Sequence, residues 1–147
     1  MMDRQMESIL QGGQFKKLLE EQSLELRQRY DLKKAELDIL YFLSHCGAYN
    51  TSTDIHRQLF MNRGHISQAV ESLIKRKYIV AIPDQNDRRY VHYELLDSAG
   101  EIIHEMTKMR EETNARILEG ISEEELQIFQ AVSEKIKANI EKMIQTK

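Results

Sequence analysis

The sequence predicts a mainly α-helical fold with one small β-hairpin. Apolar residues recur at intervals of three or four over most of the 147 residues, which is the spacing of a single buried helix face. The chain has one proline, Pro83, so long helices are allowed almost everywhere else. On either side of polar turn residues, the runs 78–82 and 89–96 are rich in β-branched and aromatic residues, which indicates two paired strands.

Two helices are predicted before the middle of the chain. The first covers residues 14–30, with Phe15 and Leu26 on its apolar face. The second follows Asp31, which we expect to cap it, and its apolar face ends at Cys46. Each helix therefore has one face to bury against the rest of the chain.

A pair of short helices joined by a tight turn is predicted next. Thr51 with Asp54 resembles a capping box, and Asn62 is placed to cap the second helix of the pair. The outer face of that second helix carries small or flat hydrogen-bonding residues, namely Arg63, Gly64, His65, Ser67, Gln68 and Ser72. This is the layout of a helix-turn-helix, whose second helix enters the DNA major groove. Gln68 is a residue type that bonds adenine bidentately.

The hairpin directly after this helix makes the motif a winged helix-turn-helix. Its turn, from Pro83 to Asp87, leads to two adjacent arginines, Arg88 and Arg89, at the tip. An arginine there is placed for phosphates or for a narrow minor groove, and Asp87 is placed to orient Arg89. Along the second strand we expect Val91, Tyr93 and Leu95 to face the core, and His92 and Glu94 to face solvent.

The last third of the chain predicts two further helices with apolar faces. The second of these begins at a capping box, Ser122 with Glu125. Its apolar stripe consists of Leu126, Phe129, Val132, Ile136, Ile140 and Met143. A winged helix does not need these faces for its own core, so a two-fold homodimer is the expected way to cover them. We therefore expect a winged-helix DNA-binding lobe at 32–96 and a helical dimerisation region at 1–30 and 98–147, within one domain over 1–147.

Charge is unevenly distributed along the chain, whose net charge is −3. Residues 51–93 contain seven Lys or Arg and four Asp or Glu, whereas the remainder contains 14 basic and 20 acidic residues. A basic middle between acidic ends is consistent with a phosphate-binding surface in the predicted winged helix.

Several functional classes are not indicated by any sequence pattern. No run of about 18 apolar residues predicts a membrane span, and the N-terminal segment lacks a secretory signal pattern. A single cysteine, Cys46, excludes an internal disulfide and favours a reducing cytoplasm. No glycine-rich phosphate loop, nucleophile motif or metal-ligand motif is present. We therefore expect no enzyme activity, no catalytic residues, no cofactor and no bound metal.

Three segments in order resemble the MarR family of bacterial regulators. "YDLKKAELDILYFL" (30–43) is similar to that family's second helix, and "NRGHISQAVESLIKRKYI" (62–79) to its recognition helix. "DRRYVHYELLDSAG" (87–100) resembles its wing. The chain departs from the family pattern at Gln68, where Arg is common, and at Lys77, where the family usually has the Gly that ends the recognition helix.

The resemblance implies a sequence-specific, double-stranded DNA-binding transcriptional regulator. The expected form is a homodimer on a pseudo-palindromic operator, acting as a repressor that a small aromatic or anionic effector releases. The implied DNA contacts are Arg63, Gly64, His65, Ser67, Gln68 and Ser72 on the recognition helix, and Asp87, Arg88 and Arg89 on the wing. The family's effector pocket would be lined here by Phe15, Tyr41, His45 and Met106.

Two alternatives stay open at this point. Cys46 would be the switch of a redox-sensing regulator, although its apolar surroundings favour an inert buried thiol. A winged helix that binds another protein without binding DNA is the second alternative. Residual, salt-dependent affinity for random duplex DNA distinguishes a DNA-binding protein from that alternative.

Overall fold

The computed structural model describes residues 13–146 and confirms a mainly helical fold with one β-hairpin. The helices are α1 (Gly13–Tyr30), α2 (Lys34–Leu43), α3 (Ser52–Leu59), α4 (Arg63–Lys75), α5 (Gly100–Ile117) and α6 (Glu123–Gln145). The strands are β1 (Ile79–Pro83) and β2 (Val91–Leu95), and a short 3-10 turn, Asp97–Ala99, precedes α5. Residues 1–12 of the predicted dimerisation region lie outside the described residues.

The chain divides into two compact units. The central unit is Gln22–Met109, and it contains the predicted DNA-binding lobe. The terminal unit comprises the chain up to Glu21 together with Arg110–Lys147. The central unit extends beyond 32–96 because Leu26 of α1 and Ile102 and Met106 of α5 belong to its hydrophobic core.

The core of the central unit is formed by α2, α3, α4 and the hairpin, together with residues of α1 and α5. Its largest fully buried side chains are Leu37, Ile39, Leu40, Ile55, Ile66, Leu73, Ile79 and Ile102. Burying an aliphatic side chain of this size contributes about 1.5–3 kcal/mol. In α4 the buried residues are Ile66, Ala69, Val70 and Leu73, spaced as one helix face, so the opposite face is left to solvent.

Local capping residues begin α3 and α4 as predicted. The Thr51 hydroxyl accepts the backbone N–H of Asp54 at 3.2 Å, and the Asp54 carboxyl group accepts the N–H of Thr51 at 3.1 Å. The Asn62 side chain accepts the N–H of His65 at 2.8 Å and starts α4. These bonds satisfy helix N–H groups that have no partner within the helix.

Asp31 does not cap the second helix, so that prediction is wrong. Its φ of 52° is left-handed and it ends α1, where the N–H of Leu32 donates to the carbonyl of Arg27 at 2.8 Å. Helix α2 instead begins at Lys34, and the N–H of Lys33 donates to the side chain of Glu36 at 2.9 Å.

The two strands pair antiparallel with Ile79 opposite Leu95 and Pro83 opposite Val91. Tyr93 and Leu95 pack against the core, as the alternation predicted. His92 lies on the opposite face, with Glu94, as the alternation predicted, but it does not face open solvent because its ring bonds to both Asn50 and Asp84. Asp84 and Tyr90 continue the pairing toward the tip through one further backbone bond of 3.0 Å.

Lys77, which follows α4, has a left-handed φ of 63°. A side chain in this conformation costs about 1–2 kcal/mol, and glycine avoids that cost. Lys77→Gly should therefore raise the free energy of unfolding by about 1 kcal/mol in a denaturant titration. The control, Lys75→Gly inside the last turn of α4, should lower it by about 1 kcal/mol. A Lys77→Gly variant that is less stable than the unmodified protein would show that the left-handed backbone at Lys77 is not strained.

Candidate nucleic-acid interface

The outer face of α4 presents a row of polar groups with little bulk. Arg63, Gly64, His65, Ser67 and Gln68 are all exposed, and the four buried residues of the helix lie on the other side. A Cβ added at Gly64 would only touch the side-chain oxygen of Asn62, 3.4 Å away. Packing within the protein therefore does not require glycine at this position, and its surface is open to close approach from outside.

Ser72 was predicted on this outer face, and the structure corrects that placement. Its hydroxyl donates to the Glu36 carboxyl group at 2.7 Å. Glu36 is buried, with 3% of its surface exposed. The Ser72 hydroxyl therefore supplies a hydrogen bond that this buried carboxyl group requires. The orientation agrees with helix geometry because residue 72 lies beside the buried position 69, about 60° away on the helical wheel, at the edge of the buried face.

The wing tip holds an oriented arginine. The Arg89 side chain is 85% exposed, and its Nε and Nη2 donate to the Asp87 carboxylate at 3.1 and 2.9 Å. The backbone N–H of Arg89 donates to the same carboxylate at 3.0 Å. Hydrogen bonds from Arg89 lower the pKa of Asp87, so the carboxylate stays ionised at neutral pH. Arg88 is also exposed at this tip.

The fold of the tip depends on a second aspartate. Asp84 accepts the backbone N–H groups of Asn86 and Asp87 at 2.9 and 2.8 Å, and also bonds the His92 ring at 2.7 Å. The His92 hydrogen bond is the largest contribution to lowering the pKa of Asp84. On its other side, His92 bonds the Asn50 side chain at 2.6 Å. The sequence did not reveal this set, because strand alternation alone placed His92 toward solvent.

An open groove of about 360 Å³ lies between α4 and β2. Arg63, Ser67 and Glu71 line it from α4, and Ser52 and Tyr93 close the opposite side. The hydroxyls of Ser52 and Tyr93 are 3.2 Å apart. The Ser52 side chain, at the start of α3, therefore belongs to the same surface as the outer face of α4. The sequence pattern did not indicate this residue.

The four residues expected to line an effector pocket have different surroundings. The rings of Tyr41 and His45 meet edge-on, with centroids 4.5 Å apart. Met106 is buried in the core of the central unit. Phe15 lies on α1 in the terminal unit and is half-buried. The structure brings Tyr41 and His45 together, and the pocket itself stays a prediction.

Cys46 is partly buried, and this burial raises the pKa of its thiol. The reactive thiolate form is therefore disfavoured. Within residues 13–146, no three His, Cys, Asp or Glu side chains are grouped as metal ligands would be. In the same part of the chain, none of the helices combines the length and the apolar character needed to span a lipid bilayer.

Comparison with known proteins shows similarity over the part of the chain that forms this surface. Residues 32–99 match the family model of a winged helix DNA-binding domain. This segment is therefore similar to a winged helix DNA-binding domain. The fold of the chain is also that of solved proteins such as MarR and FabT, so the fold predicted from the sequence is confirmed.

Three solved structures illustrate the similarity. The MarR protein from Peptoclostridium difficile is 16% identical, with a TM-score of 0.73 over 100% of this chain and 97% of that one. Streptococcus pneumoniae FabT, in complex with DNA, is 20% identical, with a TM-score of 0.68 over 96% and 99%. The S. aureus MepR–DNA complex is 21% identical, with a TM-score of 0.64 over 91% and 93%.

The two serines of α4, Ser67 and Ser72, test the orientation of this helix. Ser72→Ala removes a donor from buried Glu36, so it should lower the free energy of unfolding by about 1–3 kcal/mol. Ser67→Ala removes an exposed hydroxyl and should change stability by less than about 0.5 kcal/mol. Denaturant titration measures both effects. Ser67→Ala should reduce DNA affinity, whereas Ser72→Ala should not once the protein is folded. A reversed pattern would mean that the helix is rotated.

Proposed function

We propose that this protein is a sequence-specific, double-stranded DNA-binding transcriptional regulator of the MarR type. The observation that carries the proposal is that the central unit has both an exposed polar face on α4 and a wing arginine, Arg89, held by Asp87. The helix face suits base edges in the major groove, and the guanidinium suits phosphates or a narrow minor groove. The structures of FabT and MepR with DNA support this reading.

We propose that the protein acts as a homodimer on an inverted-repeat operator. Helix α6 exposes Ile128, Val132, Ile136, Ile140 and Ile144, which recur every four residues and form one apolar stripe. An exposed stripe of this kind marks an interaction surface. Two-fold pairing would place the two recognition helices about 34 Å apart, or a multiple of that distance, to match successive turns of DNA.

We further propose that it is a repressor released by a small aromatic or anionic effector. The raised pKa of Cys46 favours this form of control over oxidation of the thiol. A ligand releases DNA only if it binds the DNA-incompatible state more tightly, because equal affinity for both states shifts no population.

The variants Arg89→Ala and Gln68→Ala distinguish a phosphate contact from a contact to a base edge. Arg89→Ala should weaken binding to all duplexes and lower the salt slope by about one unit for each phosphate that Arg89 neutralises. Gln68→Ala should cost about 1–3 kcal/mol on a duplex selected from a random library and little on unselected DNA. Fluorescence anisotropy at several salt concentrations measures both quantities.

Lys137→Ala, which removes an exposed charge in the terminal unit, is the control for Arg89→Ala and should leave the salt slope nearly unchanged. If Gln68→Ala weakened all duplexes equally while Arg89→Ala affected none, the roles of recognition helix and wing would be misassigned. Absence of salt-dependent affinity for random duplex in the unmodified protein would favour the protein-interaction alternative.

Ile136→Asp tests the proposed dimer. Ile136 lies in the middle of an exposed apolar stripe that the proposed dimer would bury. A buried carboxylate there is costly, so this variant should sediment as a monomer at micromolar concentration and lose operator affinity together with the dimer. The control is Ala138→Asp, which adds the same charge at an exposed position off the stripe and should remain dimeric. A monomeric unmodified protein under these conditions would contradict the proposal.

A further inference from the structure

A two-stranded hairpin needs contacts from outside to hold one position, because an isolated hairpin is at best marginally stable in water. In β1 only Ile79, at the base, is buried, and the four residues that follow are exposed. In β2, Tyr93 and Leu95 pack against the core, but the tip from Asp84 to Tyr90 lies beyond the last strand pair, Pro83 with Val91. Some other interaction must fix the tip relative to α4.

His92 provides that interaction from the middle of β2. Its Nδ1 is 2.6 Å from the Asn50 side-chain oxygen, and its Nε2 is 2.7 Å from Asp84 Oδ1. Asn50 lies between α2 and α3 and is 8% exposed, and its backbone carbonyl also accepts the N–H of Tyr93 at 3.0 Å. The ring therefore joins a buried asparagine, in the loop between α2 and α3, to the first residue of the wing tip.

The chemistry of this bridge suits histidine in either protonation state. The imidazolium form donates one hydrogen bond to each oxygen. The neutral ring donates from Nε2 to Asp84 and accepts from the Asn50 amide once that amide is turned by half a rotation. A leucine at position 92 has a similar size but could form neither bond.

The hydrogen bonds of Asp84 also determine where Arg89 is held. The other oxygen of Asp84, Oδ2, accepts the backbone N–H groups of Asn86 and Asp87. These bonds fix the backbone that carries the Asp87 carboxylate, and that carboxylate holds Arg89 at 2.9 Å. A continuous hydrogen-bonded path therefore runs from Asn50 through His92, Asp84 and Asp87 to the exposed guanidinium of Arg89.

We propose that His92 is a positioning residue that holds the wing tip, and with it Arg89, at a set place relative to the recognition helix. The part of this inference that concerns DNA rests on the proposed function. His92 itself does not touch DNA and acts through Asp84 and Asp87. Removal of its ring leaves the pairing of β1 with β2 intact and frees the tip to move.

The first measurement needs no DNA. Amide hydrogen exchange is followed in the unmodified protein, His92→Leu, His92→Gln and a control, Glu94→Leu, which changes an exposed residue on the same face of β2. His92→Leu should speed exchange at residues 86–90 by about tenfold and leave α4 unchanged. His92→Gln, which retains a donor and an acceptor, should restore part of the protection. Equal exchange at the tip in His92→Leu and the unmodified protein would overturn the proposal.

The second measurement is a double-mutant cycle on DNA affinity. His92→Leu should weaken binding by several-fold, up to about tenfold, when Arg89 is present and should have little effect in an Arg89→Ala background. Equal effects in both backgrounds would show that His92 does not act through Arg89 and would overturn the proposal. If the unmodified protein binds no duplex, the proposed function fails, and hydrogen exchange alone decides whether His92 fixes the tip. His92→Gln provides the same tests if His92→Leu does not fold.

Discussion

The buried carboxyl group of Glu36 is the polar connection that ties α2 to α4 and to the end of α1. It is 3% exposed and lies on the first turn of α2, where it accepts the N–H of Lys33. It also accepts the hydroxyl of Ser72 and lies 3.9 Å from the Arg76 guanidinium. Burying such a group costs several kcal/mol unless it is bonded, so its partners have one favourable arrangement. That arrangement reinforces the orientation that the buried apolar face gives α4, in which the row from Arg63 to Gln68 is turned outward.

Arg76 extends this connection to the end of α1. Its guanidinium donates to the backbone carbonyls of Tyr30 and Asp31 at 2.5 and 2.6 Å, which are acceptors left without partners where that helix ends. Tyr30 in turn donates to Glu105 on α5 at 2.7 Å. The C-terminal end of the recognition helix is thus bonded directly to α1, and α1 to α5. Proposed release by an effector requires two states of differing affinity for DNA.

Short-range features of the fold were predictable, and long-range polar pairs were not. The caps at Thr51 and Asn62 act within three residues, so their chemistry is visible in the sequence. Helix periodicity likewise predicted the buried face of α4. The surroundings of Ser72 and His92 were not predicted because their partners, Glu36 and Asn50, lie 36 and 42 residues away. Periodicity states which face a residue is on, but not which distant polar group lies opposite it. Asp31 was misread because a carboxylate that suits a helix start is also tolerated in the left-handed position that ends one.

The central claim is that one surface, made of the first half of α4 and the wing tip, meets duplex DNA. Backbone amide chemical shifts of the ¹⁵N-labelled protein, followed while unlabelled duplex is added, test this most directly. The largest changes in amide chemical shift are expected at residues 63–68 and 87–90, together with the start of α3 beside the groove. Changes confined to the helices of the terminal unit, or no change at all at low salt, would contradict this claim.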